Sequence, residues 1–411
     1  MDTKVNGRSG FTARAVRDGF QIELVEGNDR LELNGITVPG DLTIRSDVGD
    51  DDLFLVGLVV AGDTSITTGA GGDRLEITDA EFRRKFQLDT GAGNDSGRLE
   101  SAAFQDQMSL VLGPDTDLLT LDDSSVAKEV RIDGGAGDNF VFIGNTTVNG
   151  NLSVQNGVGF GAFALIASSV GGKLDIKNGK GGSSTQIAAS VLTKDLSIQN
   201  ADGFDQFFLS DSSIGGELRI ENGGGDSSTS IASFAGPGST RIAKDLRLHN
   251  ADGFDQFSLS DASIDGDLRI ENGRGGSFTE IAGFATLVGR DLTVENGDGF
   301  DEVFLIGPFV KGQVSVKNGR GGSFVGIDSA LIGGDLRIEA QEAVDEVILQ
   351  FLSIGGDTSI ATGAGDDFVE VFGSTFFRDF RANGGSGIDT FLDLGGNRFI
   401  RDPVVSGFEL R

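Results

Sequence analysis

Apolar residues return along this chain every 22 positions. The piece from Asp41 to Ile44 alternates polar and apolar residues, and its first inward position, Leu42, sets a frame. That frame falls on Phe20, Leu42, Thr64, Phe86, Met108, Val130, Leu152, Leu174, Leu196 and Leu218. After six extra residues it resumes at Leu246 and Leu268, and after two more at Leu292, Val314, Leu336, Thr358 and Phe380. Two residues beyond each of these 17 positions stands a second aliphatic residue, from Ile22 to Ile360, with Ala382 the sole exception. Successive side chains of a strand point to opposite faces, so the pattern predicts a half-buried strand with one wet face.

Two more inward rows follow in each period. Positions +11 and +13 from the frame are apolar in pairs such as Leu31 and Leu33, Leu75 and Ile77, Phe207 and Leu209, Phe257 and Leu259, and Val369 and Val371. Four residues before the next frame stands a single apolar residue, from Val38 through Phe82, Val170 and Ile264 to Phe376. Three strands per period and no helical stretch predict an all-β fold: a three-sided parallel β-helix solenoid of about 17 coils of 22 residues. Parallel crossovers make it right-handed. Coils stacked at about 4.8 Å give a rod of roughly 80 Å. Expected boundaries are an N-terminal cap at 1–19, repeats over 20–390, and a last partial coil with C-terminal cap at 391–411.

Two polar rows support the stacking. Position +4 is asparagine in eight consecutive coils, from Asn156 to Asn318, which predicts an amide ladder from coil to coil. Position +7 is glycine in 15 of 17 coils, as a turn with positive φ requires.

Composition narrows the partners. A net charge of −30 disfavours nucleic acid and anionic membrane surfaces and favours divalent cations or a basic partner. With no cysteine, disulfides, thiolate metal sites and a cysteine nucleophile are excluded. No apolar run approaches the roughly 20 residues of a membrane span, so no membrane insertion is expected. Met1 to Phe20 lack the apolar core of a secretory signal. An extracellular or cell-surface location, the expectation here, then implies a removed signal or a signal-independent route.

The strongest chemical signal is aspartate at +9: Asp29, Asp51, Asp73, Asp95, Asp117, Asp205, Asp255, Asp301, Asp345, Asp367 and Asp389. Stacking brings consecutive members to about 5 Å, where like charges repel. In the middle of the chain the row alternates with Ser183, Ser227, Ser277 and Ser323, a super-repeat of 44 residues that separates the carboxylates. Towards the ends the aspartates are consecutive, and a cation is the natural remedy. There Gly384-Gly385-Ser386-Gly387-Ile388-Asp389-Thr390-Phe391 resembles the calcium-binding nonapeptide of RTX proteins, with close variants ending at Asp73, Asp95 and Asp367. The resemblance implies Ca²⁺ held between successive loops by backbone carbonyls and by Asp73, Asp95, Asp367 and Asp389. It covers loops and not the fold, since the motif recurs here once per coil.

Parallel β-helices also include polysaccharide-active enzymes. This chain has no Trp and no Tyr, and its single histidine, His249, takes an outward, variable position. Six inserted residues, Phe234 to Ser239, and a two-residue excess near Gly283 to Leu287 mark a local bump or groove. Phe54, Phe142, Phe208 and Phe304 at +12 point outward and suggest lateral packing. The sequence thus reads as a non-enzymatic structural or adhesive solenoid, and it resembles the repeat-rich exported and surface proteins of bacteria. Its partners are divalent cations and a protein or polysaccharide surface. The alternative is a carbohydrate-binding or polysaccharide-cleaving β-helix, which acids and aromatics sharing one groove would favour.

Overall fold

A computed structural model describes residues 4–5, 8–9, 14–16, 19–236 and 238–410. All its regular structure is β-strand. The chain divides into two compact units, Met1–Ala201 and Asp202–Arg411, and each is a parallel β-solenoid with three sheets.

In the first unit the frame strands run from Gly19–Glu23 to Leu196–Asn200, nine in number. Leu42, Thr64, Phe86, Met108, Val130, Leu152, Leu174 and Leu196 stand in register, each paired with the next. In the second unit Leu218, Leu246, Leu268, Leu292, Val314, Leu336, Thr358 and Phe380 do the same. The six and two extra residues are therefore looped out without a register slip. One parallel strand more than the 17 frames exists, because Val404–Ser406 pairs in parallel with Phe380–Asn383.

The inward rows form the core. Every residue of the row from Val38 to Phe376 is buried, as are Leu31, Leu33, Phe207, Leu209, Val369 and Val371. Like side chains stack along the axis. Phe82 and Phe104 lie 5.1 Å apart and 12° from parallel, with Phe86 edge-on. In the second unit the core at +11 alternates Phe207, Thr229, Phe257 and Thr279, all buried. The 44-residue super-repeat is thus also a packing device, with large and small rings of side chain in alternate coils.

Glycine at +7 does what the turn demands. All 15 have positive φ, and so do the two exceptions, Asp115 (86°) and Ala343 (76°). A Cβ on Gly71 would lie 2.1 Å from the carbonyl oxygen of Gly49, so at this coil the stacking of the turns demands glycine independently of φ.

Most of the expected N-terminal cap lies outside the described residues. Within it, Lys4–Val5 pairs antiparallel with Arg8–Ser9 and with Arg30–Asn34, and Arg14–Val16 pairs antiparallel with Gly19–Glu23. At the other end Phe408 is buried against Phe391, at 5.5 Å between ring centroids.

Candidate functional site

Position +9 follows the glycine turn by two residues and opens the second strand. All eleven aspartates there are buried. They form columns, as expected, but beneath the turn rather than on its surface. In the first unit the amide of each donates to Oδ1 of the next: Asp29 to Asp51 at 2.7 Å, Asp51 to Asp73 and Asp73 to Asp95 at 2.8 Å, and Asp95 to Asp117 at 2.9 Å. In the second unit Asp345 donates to Asp367 and Asp367 to Asp389, both at 2.9 Å. Oε2 of Glu409 ends that ladder by accepting the amide of Asp389 at 2.8 Å. Where serine alternates, its hydroxyl is a donor: Ser227 to Asp255, Ser277 to Asp301 and Ser323 to Asp345, at 2.7, 2.8 and 2.7 Å.

The second carboxylate oxygen differs. Oδ2 of Asp73, Asp95, Asp117, Asp255, Asp301, Asp345, Asp367 and Asp389 is buried without a hydrogen-bond partner. The Thr68 hydroxyl lies near enough to Asp73 to favour its charged form, but donates to the carbonyl of Thr90 at 2.7 Å. Burial holds Asp73, Asp95, Asp117, Asp255, Asp301, Asp345 and Asp367 above the usual carboxylate range. Asp95 is pushed up to about 7, Asp117, Asp255, Asp301 and Asp345 to about 6, and Asp73 and Asp367 also rise. Lost hydration is the largest cause in every case; the hydrogen bonds pull down, and neighbouring charges push up by less. Repulsion between stacked carboxylates was the expected cost of this column. Dehydration outweighs it, and acts equally on Asp255 and Asp301, whose row neighbours are serines.

The four aspartates assigned to Ca²⁺ lie in two adjacent pairs: Asp73 with Asp95 in the first unit, and Asp367 with Asp389 in the second. Each offers one uncommitted, buried oxygen. The turn carbonyls take part in coil-to-coil bonds: Gly69 accepts from Ala92 at 2.9 Å and Gly363 from Ser386 at 3.0 Å. Each keeps a second lone pair. The donor set is oxygen alone, the chemistry of Ca²⁺ rather than of zinc or copper.

The asparagine row is the expected amide ladder. Nδ2 donates to the next Oδ1 from Asn156 to Asn178 and Asn178 to Asn200 in the first unit, both at 2.8 Å. In the second it runs from Asn222 to Asn318 in steps of 2.7 to 2.8 Å and ends on Ser323 Oγ at 2.8 Å. A further acidic column escaped the sequence reading. One residue before the frame, Asp41 accepts the amide of Asp63, Asp245 that of Asp267, and Asp335 that of Asp357, at 2.8, 3.0 and 2.8 Å. The recurrent Asp-Leu and Asp-Thr dipeptides at coil starts were its signal.

Other surface expectations resolve differently. His249 is exposed, and Nδ1 lies 3.0 Å from Oε2 of Glu271. The +12 phenylalanines are half-buried rather than bare. Guanidinium groups of Arg30 and Arg74 cover the Phe54 ring at 4.4 and 5.4 Å, Phe234 stacks on Phe208 at 6.0 Å, and Phe278 and Phe324 flank Phe304 at 5.7 and 5.1 Å. The insertion is clamped by one carboxylate: Oδ1 of Asp211 accepts the amides of Phe234 and Ala235, both at 2.8 Å, and the Ser239 hydroxyl at 2.5 Å. Its Pro237 lies outside the described residues. Compared with protein-family models, with curated proteins and with solved structures, the chain matches none.

Proposed function

We propose that this chain is a non-enzymatic structural or adhesive β-solenoid that acts outside the cell or at its surface, with Ca²⁺ stabilising the turns that carry consecutive aspartates. The observation that carries the reading is the direction of the polar side chains. At +4, at +9 and before the frame, amides and carboxylates bond the next coil of their own unit instead of facing a substrate. Such ladders suit a stiff element under load, because each coil is held by side chains as well as by its sheets. Fractionation and protease shaving of the producing cell test the location: protection from protease in intact cells argues against it.

Support for Ca²⁺ is the pairing of buried, unpartnered Oδ2 atoms at Asp73 with Asp95 and at Asp367 with Asp389. The ion would supply the positive charge that these dehydrated carboxylates lack. Calorimetric titration of chelator-treated protein with millimolar Ca²⁺ decides: binding heat lost on replacing the four aspartates by asparagine supports the site, and no heat from the parent protein sinks it.

A second reading has its own observation. On the outward face of the second unit, Phe278, Glu302, Phe324 and Glu346 stand in one column beside Glu280 and Phe304. Acids and aromatic rings in one surface are what a polysaccharide partner needs. Gel retardation by soluble polysaccharides, lost in Phe304→Ala, is the test.

A further inference from the structure

We propose that the second unit carries, along its glycine-turn edge, a docking ridge for a cationic amphipathic α-helix of another protein. Phe204, Phe254, Phe300, Val344 and Ile388 share position +8, two coils apart, and are 43% to 61% exposed. The fold does not require them. In the coils between, Asp226, Gly276, Gly322 and Asp366 take the same position. The Asp367 carboxylate is as buried behind Asp366 as that of Asp389 behind Ile388, so an apolar neighbour is not what shields the ladder.

The ridge is held in place. The amide of Phe254 donates to Oδ1 of Asp226 at 2.8 Å, and that of Ile388 to Oδ1 of Asp366 at 2.9 Å. The residues before Phe254 and Phe300 are Gly253 and Gly299, where a Cβ would meet the preceding coil's backbone at 2.1 and 2.3 Å, so these two positions cannot carry a larger residue. Two coils span about 10 Å. Residues one heptad apart on a helix are separated by about 10.5 Å, so a helix laid along the ridge with slight tilt matches its apolar residues to successive teeth.

Charge selects the partner. Exposed Asp226 and Asp366 fill gaps between the teeth, and exposed Asp252, Asp298 and Glu342 flank them, against Arg274 and Arg320. With a chain charge of −30 behind it, this edge repels a second copy of itself and attracts lysine and arginine.

The probe is a fluorescent amphipathic peptide of Leu, Lys and Ala, about 28 residues long to cover the five teeth, titrated against the whole chain by anisotropy. Binding is expected to weaken at least about tenfold in the Phe254→Ser, Phe300→Ser double variant. It should also fall in about 0.5 M salt, and persist in Phe284→Ser, which removes an exposed ring elsewhere. Unchanged melting temperatures verify that the variants fold. The proposal is overturned if the parent protein fails to bind, if the double variant binds equally, if a Glu-for-Lys peptide binds as well, or if only zwitterionic lipid vesicles are captured.

Discussion

The main-chain amide of Asp73 donates to Oδ1 of Asp95 at 2.8 Å, while Oδ2 of Asp95 lies buried with no hydrogen-bond partner. One oxygen joins two coils; the other is dehydrated. A neutral carboxyl keeps the accepting oxygen and removes the buried charge, so the folded chain binds protons here more tightly than the unfolded one.

This fixes a pH dependence. Asp95 titrates near 7 and Asp117, Asp255, Asp301 and Asp345 near 6, against about 3.9 in an unfolded chain. A raised folded-state pKa contributes stability that is fully present below the unfolded value and lost as pH rises through 6 to 7. Asp379, held low by Arg401, and Asp211, held low by the amide of Ala235, work oppositely: their contribution is lost as pH falls below the unfolded value. Melting temperature in chelator is therefore expected to peak between about pH 4 and 5.5 and to fall by about pH 7.5. A steady rise to pH 8 in circular-dichroism melts would refute the account.

Asp95→Asn and Asp95→Ala separate the two oxygens. Asparagine keeps the acceptor for the Asp73 amide and carries no charge. At pH 7.5 in chelator it should be more stable than the parent by on the order of 1 kcal/mol, a gain that disappears near pH 4. Alanine removes the charge too but strands the Asp73 amide: it should cost about 2 kcal/mol near pH 4 and roughly 1 kcal/mol less at pH 7.5, where the lost charge offsets part of the lost bond. Paired urea titrations at the two pH values measure both effects.

If Ca²⁺ neutralises the paired aspartates, it competes with protons for the same oxygens. Millimolar Ca²⁺ should raise the melting temperature strongly at pH 7.5 and little at pH 4.5, and Asp367→Asn with Asp389→Asn should reduce the shift. Equal melting curves with Ca²⁺ and with chelator at pH 7.5 leave the proton as the neutralising species.

Much of this molecule is written in its periodicity. The frame, the inward rows and the +7 glycines were legible because each coil repeats the same packing problem at the same position, and Asp115 and Ala343 adopt the turn's positive φ even without glycine. The second left-handed turn, at +15, was not legible. Gly57, Asp79, Ser101, Asn145, Ala167 and Phe351 all occupy it with positive φ, so residue type does not mark it. The direction of the +9 carboxylates was missed for a related reason. The run Gly-x-Asp signals a turn, but whether its acid points outward depends on strand phase, and Asp95 stands an even number of residues before inward Leu99.

The asparagine ladder predicts a penalty out of proportion to one side chain. Asn272 accepts from Asn250 and donates to Asn296, both at 2.8 Å. Asn272→Ala removes both bonds and strands the Nδ2 donor of Asn250 beneath the turn, while Oδ1 of Asn296 keeps the Ser277 hydroxyl at 3.2 Å, so a loss of about 2 kcal/mol is expected. Asn272→Asp retains the bond from Asn250, cannot donate at neutral pH, and should regain stability on acidification. Loss below about 0.5 kcal/mol for the alanine variant in denaturant titration would mean that water replaces the amide.

Phe408 closes the far end of the second unit. Its ring is buried against Phe391, and the next two amides, of Glu409 and Leu410, both donate to the carbonyl of Asp389 at 3.1 Å. Removing the ring opens the core beneath Phe391 to water, and Phe408→Ala should cost about 3 kcal/mol. In a solenoid each coil is stabilised chiefly by its neighbours, so the loss falls on the last coil rather than on the whole unit. Hydrogen exchange should speed sharply at the amides of Asp389, Glu409 and Leu410 and stay unchanged at Asp345, two coils inward. Phe377→Ala, which removes a half-exposed ring nearby, should alter none of them. Equal acceleration at Asp345 would show instead that the unit unfolds as one body, and that its aspartate ladder couples distant coils.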